Sequence, residues 1–274
     1  MRLYLLTAEL VDGYGSLAKR LETLPHRTML RIPIQWNKKK QHMEDPKTYA
    51  AAFEALSKVA DLMITFADSS AMKHFDSPAS FEKHVQNCLN ALRAYCNAAE
   101  AGNEVNGTWL GSHTSEKIQL ALAACHDAGL PAAVTYYFSA DNPLQMFSWI
   151  GKHPLRSSYA LISHYPNTTP GKVIDVESVF TKLASVFPGA SIGWGEYGTE
   201  DSTEVNPGSM KERAQLIRRV EQDYWQMLAP AIPNYVGLGG YWDWATDSCL
   251  DDVFEEVWDA GAPRGGPRAT ECSG

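Results

Sequence analysis

Two short strings hold the residues best suited to chemistry. Residues 99–107 read Ala-Glu-Ala-Gly-Asn-Glu-Val-Asn-Gly, and residues 192–198 read Ile-Gly-Trp-Gly-Glu-Tyr-Gly. Each has the pattern of a short strand that ends in a glutamate, Glu104 in the first and Glu196 in the second, with glycine or asparagine close by to turn the chain. Side chains alternate along an extended chain, so Glu100, Gly102 and Glu104 are expected on one face and Asn103 on the other. Burying a glutamate unpaired costs several kcal/mol, so a carboxyl group in this position points to a paired or functional role. Two such groups facing one pocket could cleave a glycosidic bond. One, kept protonated, supplies a proton to the leaving oxygen; the other, ionised, attacks the oxocarbenium-like carbon. Glu196 is then the natural nucleophile, and Glu104 the acid, its pKa raised by burial and by the charge of Glu196.

The rest of the chain alternates short apolar runs with amphipathic segments, which is the pattern of a βα repeat rather than a sandwich. Strands are expected at residues 2–8, 28–34, 61–66, 94–103, 132–137, 159–164, 191–196 and 235–242. Helices are expected at 16–23, 46–59, 80–92, 115–128, 143–153, 174–187, 209–228 and 251–259. Asp45-Pro46 and Thr114-Ser115-Glu116 offer cap and first-turn chemistry, Ser80 and Lys83 make no capping box, and Gly129-Leu130-Pro131 is a helix stop. Eight such pairs close into an α/β fold, a (β/α)8 TIM barrel, whose site lies at the carboxyl ends of the strands, so both glutamates would face one mouth. A single domain is expected over residues 1–261. The Gly- and Pro-rich tail 262–274 is expected to fray.

Composition sets outer bounds. A chain of 274 residues suits one α/β barrel, and 45% hydrophobic with 20% charged residues is ordinary globular composition;. No run of eighteen apolar residues occurs, so no membrane span is expected. The formal charge of −8 comes without a basic block, so nucleic acid is not an expected partner;. Five cysteines are scattered without a CxxC pair, and the histidines show no metal-ligand spacing, so neither a disulfide framework nor a metal site is expected;. Gly13-Tyr14-Gly15 lacks the third glycine of a dinucleotide fingerprint, and neither a Walker loop nor Gly-Xaa-Ser-Xaa-Gly occurs, so no cofactor is expected. The first apolar run is interrupted too early for a secretory signal, which fits a cytoplasmic protein or a mature secreted domain lacking its leader. Nothing in the sequence specifies an oligomeric state.

Gly102-Asn103-Glu104, with Glu100 four residues before Glu104, resembles the fourth strand of glycoside hydrolase clan A, the retaining barrel glycosidases. Glu196-Tyr197-Gly198 resembles the seventh strand of that clan, and the order matches. The resemblance implies that Glu104 is the acid/base, that Glu196 is the nucleophile, and that Asn103 hydrogen-bonds the sugar 2-hydroxyl. It also places Tyr165, in Ser163-His164-Tyr165-Pro166, against the nucleophile, and Trp242, in Tyr241-Trp242-Asp243-Trp244, as a sugar platform. Arg31 could pair with Glu100 or steady the nucleophile. Trp36, Tyr137 and Trp109 could stack on sugar or on their neighbours. His164 and Asp68 stand at strand ends, where a ligand contact and a structural hydrogen bond are both open. The expected function is retaining hydrolysis of a β-linked glycan, with an oligosaccharide or polysaccharide as partner. Two other readings stay open: a carbohydrate-binding pseudo-enzyme, and a barrel lyase or isomerase, for which no lysine stands at a strand end.

Overall fold

The computed structural model describes residues 3–5, 13–24, 27–165, 174–198, 210–237 and 240–241. The apolar runs form strands β1 (Leu3–Leu5), β2 (Met29–Pro33), β5 (Asp61–Thr65), β6 (Ala98–Gly102), β7 (Ala132–Tyr137), β8 (Tyr159–His164), β9 (Ser191–Tyr197) and β10 (Gly240–Tyr241). They pair in parallel and close into a barrel in the order β1-β10-β9-β8-β7-β6-β5-β2. The (β/α)8 architecture is thus the one that the repeat pattern implies. A short antiparallel hairpin, β3 (Trp36–Asn37) with β4 (His42–Met43), follows β2 and has no counterpart among the expected elements.

The helices are α1 (Tyr14–Thr23), α2 (Ala50–Leu56), α3 (Pro78–Leu92), α4 (Thr114–Asp127), α5 (Pro143–Lys152), α6 (Val176–Val186), α7 (Met210–Arg218) and α8 (Trp225–Ala231). Their apolar stripes recur at helical spacing: α3 buries Phe81, Val85, Cys88, Leu89 and Leu92 against the sheet;. Local starts differ from expectation in instructive ways. Helix α3 begins two residues early because Ser77 and Ser80 cap one another's backbone, with Pro78 in the first turn;. Asp45 does cap its helix, accepting from Lys47 N–H at 3.0 Å, but the first turn is 3-10, Pro46–Tyr49. Thr114 is no cap, since its hydroxyl donates back to Gly111 O, and the cap position falls on His113. Residues 94–95, expected as strand, belong to a 3-10 turn, Arg93–Tyr95. The run expected at 209–228 is α7, a π-helical stretch Arg219–Tyr224 and α8 in succession. The helix expected at 251–259 and the tail 262–274 lie outside the described residues.

Inside the barrel, side chains stack in layers. Met29, Met63, Ala98, Ala133, Tyr159 and Leu161 form an apolar floor at the amino ends of the strands. Above it lies a polar layer of Arg31, Thr65, Glu100 and Thr135, all buried. The larger core, including Ile32, Phe53, Phe81, Val134 and Phe180, sits between strands and helices.

Candidate active site

Both strands that carry the glutamates contain a bulge. In β6 the register against β7 shifts between Glu100 and Gly102, leaving Ala101 as the extra residue;. Glu100, two residues beyond Ala98 of the floor, points into the barrel by ordinary alternation and meets Arg31, Thr65 and Thr135;. A Cβ on Gly102 would lie 2.4 Å from Ile118 Cδ1 of α4, on the helix side. The simple alternation thus fails here. Gly102 turns outward and Asn103 turns toward the mouth, where its Nδ2 donates to Asp68 Oδ1 at 3.3 Å. Glu104 lies just past the strand with a φ of +50°, a left-handed conformation uncommon for a residue with a Cβ and often found at functional sites;.

In β9 the register against β8 shifts so that Ile162 faces Trp194 and Ser163 faces Glu196, which makes Gly195 the extra residue. A Cβ there would lie 2.5 Å from Thr135 Oγ1 and 2.9 Å from Leu161 Cβ, so the strand can bulge inward only with glycine at this position;. The bulge turns Glu196 into the barrel.

The two carboxyl groups have different company. Glu196 Oε2 accepts from Arg31 Nη1 at 2.8 Å, and Glu196 Oε1 accepts from the Tyr165 hydroxyl. Arg31 Nε also donates to Glu100 Oε2 at 2.6 Å, so one cation serves two carboxylates. Among the described residues Glu104 is held by hydroxyls: Ser69 donates to Oε2 at 2.9 Å and Ser163 to Oε1 at 2.7 Å. Ser163, in β8, and Tyr165, the residue after its end, are two apart in extended chain, hence on one face and about 7 Å apart;. Each holds one of the glutamates, which fixes both at a single mouth.

Burial and the charge of Glu196 together push the Glu104 pKa up to about 8, against the two serine hydrogen bonds;. Burial raises the pKa of Glu196 as well, but there the Arg31 charge and the Tyr165 and Arg31 hydrogen bonds oppose it. Burial alone would lower the pKa of Arg31; the charges of Glu100 and Glu196 reverse that and raise it, so it stays a cation. Burial lifts the Tyr165 hydroxyl well above its usual range, with the Glu196 charge adding to it, so it remains a donor.

The other residues singled out by sequence divide. Arg31 pairs with Glu100 and with Glu196 at once. Trp36, on the hairpin, stacks flat on His74 with ring centroids 3.9 Å apart. Tyr137, at the end of β7, meets Trp109 edge-on at 5.2 Å, and Trp109 is 39% exposed. His164 is turned away from the mouth: its Nδ1 donates to Phe138 O at 3.2 Å, and it borders a small apolar cavity with Ile174, Val179, Phe180 and Trp194. The alternation that sends Ser163 and Tyr165 inward sends His164 outward, and burial lowers its pKa. Trp242 lies outside the described residues.

Sequence reasoning missed three contributors. Ser69 and Ser163 hold Glu104, and only their place at strand ends could have pointed to them. Asn106 bridges the loop after β6 to β7, donating to Tyr137 O and Gln145 Oε1 and accepting from Tyr137 N–H at 2.8 Å. Among the described residues, no three His, Cys, Asp or Glu side chains are grouped to hold a metal. Among the same residues, no helix is long and apolar enough to cross a membrane.

The molecule is therefore a (β/α)8 barrel with two buried carboxyl groups at the carboxyl ends of its fourth and seventh barrel strands. No family profile and no curated protein matches the sequence. Solved structures do match in fold. A β-glycosidase, BGL167, is 13% identical with a TM-score of 0.62, over 94% of this chain and 89% of that one. A structure from a study of two fungal β-1,4-galactanases is 11% identical with a TM-score of 0.65, over 91% and 92%. The xylanase XynB from Paenibacillus barcinonensis is 11% identical with a TM-score of 0.55, over 88% and 83%.

Proposed function

We propose that this chain hydrolyses a β-linked glycan, oligosaccharide or polysaccharide, by a retaining double displacement, with residues 1–261 as the catalytic domain. The observation that carries this reading is the unequal company of the two carboxyl groups. Among the described residues Glu196 is held by a cation and a phenol, and Glu104 by two hydroxyls at a pKa of about 8. That difference suits one ionised nucleophile and one protonated acid. The fold neighbours, described as a β-glycosidase, galactanases and a xylanase, agree with a carbohydrate substrate.

In the first step Glu196 attacks the anomeric carbon as Glu104 delivers its proton to the departing glycosidic oxygen, giving a glycosyl ester on Glu196. Esterification removes the Glu196 charge, so the pKa of Glu104 falls and its carboxylate can take a proton from water. That water attacks the same carbon, releases Glu196 and returns the proton to Glu104. Arg31 and Tyr165 keep the Glu196 oxygens in place and stabilise the carboxylate as leaving group, and Asn103 contacts the sugar beside the scissile bond. The two carboxyl groups balance every proton and bond in the cycle without a metal or cofactor. The test is turnover of a panel of chromogenic β-glycosides and polysaccharides, with the first-formed anomer followed by proton NMR. The β-anomer from a β-linked substrate is expected. First formation of the α-anomer would overturn the double displacement, and no product from any member of the panel would overturn the glycosidase reading.

A further inference from the structure

Asp68 follows β5 at the barrel mouth, and its carboxylate is anchored from within its own loop. Its Oδ2 accepts from Ser70 N–H at 3.0 Å and from the Ser70 hydroxyl at 2.6 Å. The other oxygen, Oδ1, accepts from Asn103 Nδ2, while the next residue, Ser69, donates to Glu104. Consecutive residues 68 and 69 of one loop thus hold consecutive residues 103 and 104 of another, as a two-rung clasp. An ionised carboxylate can only accept hydrogen bonds, so the Asn103 NH2 must face Asp68 and the amide oxygen must face away from it. That oxygen is buried and has no partner among the described residues. A buried acceptor left unpaired costs about 1–3 kcal/mol, so a donor brought by a ligand would be favoured there.

We infer that Asp68 is a positioning residue for the acid/base glutamate: with Ser69 it clasps Asn103-Glu104, commits the Asn103 oxygen to accept from a ligand hydroxyl, and keeps a negative charge beside the carboxyl pair. The identity of the ligand rests on the glycosidase reading; the effect on Glu104 does not. Glu104 is faced by Glu196 from β9, by Ser163 and Tyr165 from β8 and the residue after it, and by Asp68 and Ser69 from the loop after β5. Arg31 and Glu100 lie below, engaged with each other and with Glu196. Asp68 adds to the upward push on both Glu104 and Glu196. Removing its charge must therefore make Glu104 release its proton more readily.

The experiment is a carbon-13 NMR titration of carboxyl-labelled glutamates, with Glu104→Gln identifying the Glu104 signal, in wild type and in Asp68→Asn. The Glu104 midpoint is expected to move to lower pH by on the order of 0.5 on the pH axis. The alkaline limb of kcat/KM should move with it, and kcat should fall about tenfold as the Asn103 amide loses its fixed orientation. Ser70→Ala, which frees Asp68 without removing its charge, should give a smaller loss of kcat and serves if Asp68→Asn does not fold. An unchanged midpoint in Asp68→Asn, or wild-type kcat in Ser70→Ala, overturns the inference. A midpoint that depends on Asp68 in a protein that turns over no glycoside would sustain the clasp and sink the proposed function alone.

Discussion

The ends of β6 and β9 present the same side chain at the same mouth, each beside a bulge of one residue, yet they surround it with different partners. At β9 the carboxyl group faces Arg31 and Tyr165; at β6 it faces Ser69 and Ser163. Both are buried, so the contrast comes from partners rather than from depth. A cation offsets the desolvation of Glu196, whereas hydroxyls offset it only weakly at Glu104. The proposed division of labour rests on which neighbouring strand or loop reaches each glutamate.

The sharpest break in this contrast removes each carboxyl group in turn. Glu196→Ala is expected to abolish turnover of every substrate, with an unchanged circular dichroism spectrum. Glu104→Ala should lose about 10²–10⁴ in kcat on substrates whose leaving group needs a proton, and much less on activated aryl glycosides. Equal losses on both kinds of substrate would erase the distinction between the two sites.

Next comes the cation. Arg31→Met leaves Glu100 and Glu196 buried without a counter-charge and should cost about 3–5 kcal/mol in a denaturant melt at pH 7. The loss should shrink at acid pH, where those carboxyl groups can protonate. A smaller effect is expected at the other glutamate and with the opposite sign. Glu104 titrates near 8 in the folded protein against an ordinary value of 4.5, so wild type loses stability as pH rises between those values;. Glu104→Gln should therefore raise Tm at pH 8 and leave it nearly unchanged at pH 4. The finest adjustments are single hydrogen bonds. Ser163→Ala removes a donor that favours ionised Glu104, so the alkaline limb of kcat/KM should move up. Tyr165→Phe should raise the acidic limb, which reports Glu196. If Ser163→Ala moved the acidic limb instead, the assignment of partners to the two glutamates would be wrong.

Much of this was legible before any coordinates. Eight short apolar runs separated by amphipathic segments fixed the barrel, because strand and helix periods differ and each run is long enough to express its own. Glu104 and Glu196 stood out because a carboxylate at the end of a buried strand has few inexpensive explanations. The bulges at Ala101 and Gly195 were not legible. One inserted residue leaves no trace in composition, yet it decides that Asn103 faces the mouth and Gly102 faces α4. Ser69 and Ser163 were hidden for a related reason: their importance lies in a hydrogen bond to a residue thirty-five or fifty-nine positions away. His164 is the reverse case, a reactive residue type placed by strict alternation on the outer side of its strand.

The apolar floor beneath Arg31 has a consequence for traffic. Among the described residues, methionine, alanine, leucine and tyrosine side chains plug the barrel interior at the amino ends of its strands. Under the proposed reaction, whatever arrives to be cut, the water that finishes the job and the fragment that departs would all share the opposite doorway, in turn. A stalled occupant would then shut out solvent too, and its own release would become the slowest event in the cycle.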